Sequence, residues 1–282
     1  MLIVMKVTKE LILEFENYLM REEKSDATIE KYIRDVLAFY RWTGENETEK
    51  KDVLRYKEYL IENYAPASVN SMLSSINSFF EFAGFSELKV KVQKIQRRVF
   101  LNSEKELTRK EYLLLVDTAL KNGDKRLGLL MQTICSAGIR VSELKSITID
   151  AINSGRAVIK CKGKMRVILL PADLRKSLKK YAKEQKITRG SIFVSRNGKP
   201  LDRSNIWKMM KALCSKAGVV KEKVFPHNLR HLFARTYYSL QKDIVRLADI
   251  LGHSNINTTR IYTMETGEVH LKQIERLGLL RC

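Results

Sequence analysis

Hydrophobic side chains recur every three to four residues through the first third of the chain, in segments separated by short polar turns. In ATIEKYIRDVLAFYRWTG, residues 27–44, this spacing places the apolar positions on one side of a helix, and Gly44 ends it. The apolar positions are Ile29, Ile33, Val36, Leu37 and Tyr40. The pattern predicts an amphipathic helix with one buried face.

The segment PASVNSMLSSINSFFEFAG, residues 66–84, repeats the pattern and closes on Gly84. Its apolar face comprises Val69, Met72, Leu73, Ile76, Phe79, Phe80 and Ala83. Shorter helical patterns cover residues 11–19 and 54–64. Four amphipathic helices within about 85 residues predict a small all-α bundle. We assign this bundle to residues 1–88.

A basic segment, KVKVQKIQRR, follows the bundle at residues 89–98 and contains five basic residues and no acidic one. Its basic residues are Lys89, Lys91, Lys94, Arg97 and Arg98. Such a run is typical of a solvated linker, but it could equally follow a phosphate backbone. We predict a linker over residues 89–106 and leave both interpretations open.

A second domain is predicted over residues 107–282. Thr108 and Glu111 have the spacing of a capping box that opens a helix. Mostly helical patterns follow, interrupted by two β-type runs at 157–161 and 165–169 around a Lys-Gly-Lys turn, which predict a hairpin. A weaker turn is predicted at Asn197-Gly198. The predicted fold class is therefore mostly α with a small β-hairpin (α+β).

The charge indicates an anionic partner. Lys plus Arg number 52 against 32 Asp plus Glu, a formal net charge of +20. Nucleic acid is the commonest partner of so basic a chain, and a membrane surface is the rival. Against a membrane, no apolar run approaches the roughly 18 residues that span a bilayer. The apolar start is too short for a secretion signal.

The cysteines are few and scattered. They are Cys135, Cys161, Cys214 and Cys282. Their spacing matches no zinc site, so the sequence predicts free thiols in a reducing cytoplasm, with no metal and no cofactor.

Two arginines carry the first candidate chemistry. In SAGIRVSELKSI, Arg140 follows a glycine turn and opens a helix, and Glu143 can reach back toward it. Alone this would be an ordinary surface ion pair. In VFPHNLRHLFA, Pro226 suits the first turn of a helix, which places His227 and Arg230 on one face near its N-terminus. That end of a helix favours a phosphate.

The other candidates lie at the hairpin tip and near the end of the chain. Lys162 and Lys164 sit where a long cation can reach out of the fold. In LGHSNINTTRIYT, residues 251–263, Gly252 ends a helix before His253, and Tyr262 follows. Together, two guanidiniums, a lysine and two imidazoles could surround one phosphodiester while Tyr262 attacks it. This chemistry needs no metal, and the sequence has no carboxylate cluster typical of Mg²⁺ sites.

The order Arg140, Lys162, His227-x-x-Arg230, His253 and Tyr262 resembles the tyrosine site-specific recombinases, the phage integrase family. Compact Xer-type recombinases are the nearest in layout. The resemblance covers nearly the whole chain and implies a helical core-binding domain, a basic linker and a catalytic domain. It departs in the hairpin, which is one residue shorter than the usual G-K-G-x-K-x-R pattern, so Lys164 remains an alternative to Lys162. A second departure is at the N-terminus, where the predicted bundle starts almost at once, so we expect no arm-binding domain of the kind that lambda-type integrases carry.

The resemblance implies a role for each site residue. Tyr262 would form a 3′-phosphotyrosine and release a 5′-hydroxyl. Arg140 and Arg230 would hold the non-bridging oxygens, and Lys162 would be the general acid. The supporting residues would be His227 for proton transfer and phosphate binding, His253 for a phosphate hydrogen bond, and Glu143 for structure. His231 is interpreted as a packing or supporting residue.

The resemblance also implies partners: a double-stranded DNA recombination site and further copies in a tetramer, with the need for a second recombinase or accessory protein left open. In VHLKQIERLGLL, apolar residues at helical spacing predict a terminal helix, which either folds back or docks into a neighbouring subunit. Three alternatives are a type IB topoisomerase, a non-catalytic DNA-binding regulator and an RNA-binding protein. No RNA-stacking signature supports the last.

Overall fold

The computed structural model describes residues 4–44, 46–95, 103–161, 164–195, 197–264, 267–277 and 279. The chain divides into two compact units, Met1–Arg97 and Arg98–Cys282. The predicted linker, residues 89–106, spans this division, and its role stays a prediction.

The N-terminal unit is a bundle of four helices with one small sheet. Its helices are α1 (Lys9–Arg21), α2 (Asp26–Thr43), α3 (Lys50–Asn63) and α4 (Pro66–Phe82). The strands β1 (Met5–Lys6) and β2 (Glu47–Thr48) pair antiparallel. Phe15, Phe39, Phe79 and Phe80 are fully buried at the centre, so the two predicted helical faces form this core. The prediction of an all-α bundle is confirmed, apart from the two-residue strands.

The chain that leaves this bundle remains attached to α4. Asn77 exchanges two hydrogen bonds with the backbone of Val90, and Asn70 does the same with Gln93. The first half of the basic segment therefore runs along the bundle in fixed register. Arg97 and Arg98 lie outside the described residues.

The C-terminal unit is α-rich with one hairpin. Its helices are α5 (Arg109–Lys121), α6 (Lys125–Ala137), α7 (Ile149–Ser154), α8 (Ala172–Glu184), α9 (Arg203–Ala217), α10 (Pro226–Gln241), α11 (Ile244–Leu251) and α12 (Gly267–Glu275). The strands β3 (Arg156–Cys161) and β4 (Lys164–Leu169) pair antiparallel, with Val158 opposite Val167. The predicted hairpin and the capping box of Thr108 and Glu111 are both confirmed.

Helix α6 forms the centre of this unit, since its residues Leu130, Met131 and Ile134 are completely buried. A smaller core joins α10, α11 and the chain after it, where Ala234, Leu251 and Tyr262 pack together. The N-terminal end of α10 and the C-terminal ends of α6 and α11 consequently meet at one place, where Arg230 bonds to carbonyls at both C-terminal ends.

The segment after Arg140 differs from the expected α-helix. Val141–Ser146 forms a 3-10 helix, and Leu144 and Ile147 are buried. A short connection of this length commonly closes i→i+3 hydrogen bonds rather than a full α-helix. Both Cys135 and Cys214 are free thiols. Within the described ranges, no helix is long and apolar enough to span a bilayer.

Candidate active site

Arg140 lies at the start of the 3-10 helix, two residues after a left-handed turn at Gly138 (φ +60°). The Glu143 carboxylate accepts the backbone N–H of Arg140 at 2.7 Å and one of its guanidinium N–H groups at 3.1 Å. The Arg140 side chain is 44% exposed, whereas that of Glu143 is 8% exposed. Glu143 is thus a buried anchor for a guanidinium that still faces solvent.

Arg230 is the most deeply buried cation of the site, with 1% of its surface exposed. From α10 it donates hydrogen bonds to the carbonyl oxygens of Gly138 at 2.7 Å and Leu251 at 2.8 Å. Burial, followed by the nearby charges of Arg140 and Arg166, lowers the pKa of Arg230 to about 10. It therefore remains a cation at neutral pH.

Arg166 is a third guanidinium that the sequence analysis did not select. It points inward from β4, between the exposed side chains of Met165 and Val167. Its Nη1 donates to the Leu251 carbonyl at 2.7 Å and to Glu143 Oε1 at 3.2 Å. Strand alternation would have identified it, because a basic residue on the inward face of a half-exposed hairpin needs buried anionic or carbonyl partners.

The three guanidiniums share one carboxylate. Glu143 lies 3.1 Å from Arg140, 3.2 Å from Arg166 and 3.9 Å from Arg230, measured between nitrogen and carboxylate oxygen. Three positive charges against one negative charge leave an excess that is only partly screened by water. An anion with several acceptor oxygens, such as a phosphate, would compensate it.

His253 follows the left-handed turn at Gly252 and bonds on both sides of its ring. Its Nε2 lies 3.1 Å from Arg230 Nη2, and its Nδ1 lies 2.9 Å from Thr259 Oγ1. Because a guanidinium only donates, Nε2 must accept, and the ring proton is then on Nδ1. Burial and then the charges of Arg230 and Arg140 lower the pKa of His253 to about 4, so the ring is neutral.

Tyr262 ends the 3-10 helix Arg260–Tyr262, and its side chain is almost completely buried. Its ring meets that of His231 edge to face, with centroids 5.0 Å apart, and lies nearly parallel to that of His253 at 6.3 Å. Burial raises the pKa of Tyr262, and the Arg230 guanidinium opposes that increase. Its hydroxyl is therefore protonated and lies beside the arginines. It is buried, however, and does not face the solvent.

His227 is exposed at the edge of a groove of about 860 Å³ that opens onto the arginines. The groove is also lined by Arg140, Arg203, Trp207, Lys208 and Arg230. Desolvation and then the neighbouring His231 and Arg230 lower the pKa of His227 to about 4. The ring is neutral at pH 7, and the groove presents a cationic wall that also includes the aromatic side chains of Trp207 and Phe225.

The structure brings Arg140, Glu143, Arg230, His253 and Tyr262 together and puts His227 at the edge of the groove. Lys162 lies outside the described residues, and only the backbone of Lys164 is described. The choice between them stays a prediction.

In the basic segment, Lys89 pairs with Glu81 at 3.2 Å, and Lys91 and Lys94 are exposed. Among the described residues, no cluster of three or more His, Cys, Asp or Glu side chains could hold a metal ion.

A helical bundle followed by an α-rich unit, in which guanidiniums surround a buried tyrosine, defines the tyrosine-recombinase class of proteins. Residues 105–268 match the phage integrase family, and residues 12–84 match its N-terminal SAM-like domain. The chain therefore belongs to the phage integrase family, whose tyrosine recombinases cut and rejoin DNA strands.

Individual relatives agree along nearly the full length. The chain is 32% identical to the tyrosine recombinase XerA of Thermococcus kodakarensis, over 98% of both chains. It is 28% identical to XerD of Listeria monocytogenes, over 94% of this chain and 97% of the relative. A crystal structure of XerA recombinase aligns with 26% identity over 98% of this chain and all of that chain, with a TM-score of 0.53.

A lambda integrase dimer bound to a core site shares the fold, with a TM-score of 0.75 over 93% of this chain and 97% of that chain, at 19% identity.

Proposed function

We propose that this chain cuts and rejoins a specific double-stranded DNA site through a 3′-phosphotyrosine formed at Tyr262. The observation that carries the proposal is the cluster of three guanidiniums around one carboxylate, directly beside a buried tyrosine hydroxyl. The excess positive charge of this cluster would stabilise a phosphate whose negative charge grows during the attack.

Arg140 and Arg230 would hold the non-bridging oxygens of the scissile phosphate. The exposed fork of Arg140 is free to bind from the groove, while Arg230 is fixed by two carbonyl oxygens. A fork held by protein carbonyls loses little freedom when the phosphate arrives, which favours strong transition-state stabilisation. Glu143 would keep the forks in place.

His253 needs a proton on Nε2 before it can donate to a phosphate, yet that nitrogen accepts from Arg230. A bound phosphate would supply the negative charge that raises the pKa of His253 from about 4. His227 would assist proton transfer at the groove, and Lys162 would protonate the leaving 5′ oxygen.

The groove and the net charge of +20 support binding of duplex DNA beyond the scissile phosphate. Arg203, Trp207 and Lys208 on α9 would contact the DNA next to the cleaved strand, and the basic residues from Lys89 to Arg98 would follow its backbone. Affinity that depends on such contacts falls steeply as salt rises. A cytoplasmic location, with access to genomic DNA, fits this function.

Tetramer formation on DNA is proposed through helix α12. Five apolar side chains in and just after α12 are between 39% and 86% exposed. They are Val269, Leu271 and Ile274 within the helix, and Leu277 and Leu279 after it. A row of this kind that the described part of the chain leaves uncovered favours docking into another subunit over folding back. A second recombinase or accessory protein could share the same ring.

The proposal is tested with a nicked suicide duplex that carries the candidate site, incubated with wild type and Tyr262→Phe in the presence of a chelator. We expect a covalent protein–DNA band from wild type only, with equal DNA binding by both. A covalent band from Tyr262→Phe would show that another residue is the nucleophile. Relaxation of supercoiled plasmid without site pairing would favour the topoisomerase alternative, and tight binding without a band would favour the non-catalytic regulator.

A further inference from the structure

The ring of His231 packs against the proposed nucleophile, although the family resemblance assigns His231 no catalytic role. It meets the Tyr262 ring at 5.0 Å with an interplanar angle of 88°. Its side chain is 17% exposed, so it belongs to the interior of the site rather than to the groove. Two imidazoles thus lie near the phenol, that of His231 edge to face and that of His253 nearly parallel to it.

The two nitrogens of His231 have different surroundings. Nδ1 faces the Glu106 carboxylate, 3.7 Å from Oε1, and Arg235 holds the other carboxylate oxygen at 3.3 Å. Contact with His231 is the largest cause of the lowered pKa of Glu106. Nε2, in contrast, is buried and has no hydrogen-bond partner among the residues that the structure describes. An unpaired buried nitrogen destabilises the folded protein, so its position requires a reason.

The attack on phosphorus provides that reason, because the tyrosine hydroxyl must give its proton to an acceptor. His253 has both nitrogens engaged, one with Arg230 and one with Thr259. In His231, a proton on Nδ1 directed at Glu106 leaves the lone pair on Nε2. A carboxylate that orients an imidazole beside a hydroxyl nucleophile is the arrangement of the hydrolase triads.

We propose that His231 Nε2, with its ring oriented by Glu106, accepts the hydroxyl proton of Tyr262 when the phenol turns toward the phosphate. This inference rests on the proposed function, in which Tyr262 is the nucleophile. The O–H bond of Tyr262 breaks, its proton moves to Nε2, and an Oη–P bond forms. The P–O5′ bond breaks, and the 5′ oxygen takes a proton from the general acid. Rejoining reverses each transfer, so His231 returns its proton to Tyr262.

The charged and titratable groups around His231 are consistent with this role. They are Glu106 from the segment before α5, Tyr262 from the 3-10 helix, Arg235 beside Glu106, and His227 one turn earlier on α10, with ring centroids 4.3 Å apart. His227 stays neutral because its pKa is about 4. It therefore adds no positive charge next to the ring that must gain one.

The test measures single-turnover cleavage of the suicide duplex by His231→Ala across the pH range. We expect cleavage about 100-fold slower than wild type near neutral pH, with unchanged DNA affinity, as general base catalysis contributes at least that much. Added imidazole should restore the rate, and the deficit should shrink at alkaline pH as the tyrosine begins to ionise without help, above the ordinary tyrosine pKa of about 10 because burial raises the pKa of Tyr262. Glu106→Gln should show a smaller deficit, and Thr236→Ala, an exposed control on α10, none.

His231→Asn, a smaller change in shape, and thermal unfolding of each variant guard against a folding defect. A His231→Ala rate within about threefold of wild type at every pH would overturn the inference. A large deficit that neither imidazole nor alkaline pH relieves would also overturn it, since His231 would then only pack against Tyr262. Absence of a covalent band from wild type is a different outcome, because it removes the proposed function and this step with it.

Discussion

The turn at Gly252 joins α11 to His253, and its replacement by alanine offers a quantitative test of how closely the site is packed. Gly252 has φ +62°, and a Cβ built there would lie 2.5 Å from Arg166 Cδ and 3.2 Å from its Nε. Gly218 ends α9 with nearly the same φ of +63°, but no described atom lies within 4 Å of its Cβ position. The two positions share the backbone cost and differ in the approach of Arg166.

Alanine in the left-handed region costs about 1–2 kcal/mol at either position. At Gly252 the new methyl group also displaces Arg166, which overpacks the site by about 1–3 kcal/mol. That displacement weakens the hydrogen bond from Arg166 Nη1 to the Leu251 carbonyl, now 2.7 Å. We therefore expect Gly218→Ala to lower the unfolding free energy by about 1–2 kcal/mol and Gly252→Ala by about 2–5 kcal/mol.

Urea unfolding monitored by fluorescence measures the difference. The chain has two tryptophans, so a Trp42→Phe background leaves Trp207 to report on the C-terminal unit alone. Gly252→Ala should also slow DNA cleavage, because the new methyl group would displace Arg166 and would shift the turn that holds His253. Gly218→Ala should leave the cleavage rate unchanged. Equal losses of stability in the two variants would refute the argument that Arg166 closes against this turn.

Three further predictions concern the charges of the site. Glu143→Gln should lower the unfolding free energy by about 3 kcal/mol, because three guanidiniums lose their carboxylate, and added sulfate should restore more stability to the variant than to wild type in the same urea titration. Arg166→Lys should slow cleavage more than tenfold in the suicide assay while duplex affinity changes little, since lysine keeps the charge but not the planar fork. His253 has a folded pKa of about 4 against an ordinary histidine pKa of 6.5, so its contribution to stability is complete above about pH 6.5 and is lost as the pH falls toward 4. The unfolding free energies of wild type and His253→Gln should converge as the pH falls through that window. Nitrogen NMR at pH 6 should find the His253 ring neutral with its proton on Nδ1, and a charged ring would contradict the assignment.

Much of the fold was accessible from local patterns. The stripe from Val69 to Ala83 identified α4, the pair Thr108 and Glu111 located the start of α5, and the two β-type runs identified the hairpin. Each of these signals depends on residues within one or two turns of each other, and such short-range preferences survive in the folded protein. The 3-10 helix after Arg140 was not anticipated, since a connection of six residues has too little periodicity to distinguish it from an α-helix.

Most candidate site residues were also found in the sequence, because Arg140, His227, Arg230, His253 and Tyr262 stand in short motifs of a known family. Arg166 was not selected although strand alternation places it on the inward face of the hairpin, and only the tertiary structure shows that its partners are Glu143 and Leu251. Neither the burial of Tyr262 nor the unpaired nitrogen of His231 can be predicted from the order of residues.

The sequence by itself determined the helical bundle, the basic segment, the positions of the arginines and histidines, and the family. Tertiary structure alone decided how these groups act on one another. Glu106 reaches His231 across 125 positions of chain, and Arg166 meets the turn at Gly252 across 86. Protonation, tautomer and pKa depend on distance and burial in space, which arise only when α6, β4, α10 and α11 bring their ends together. Motifs can therefore identify the chemical groups of this site, but packing sets their charge states.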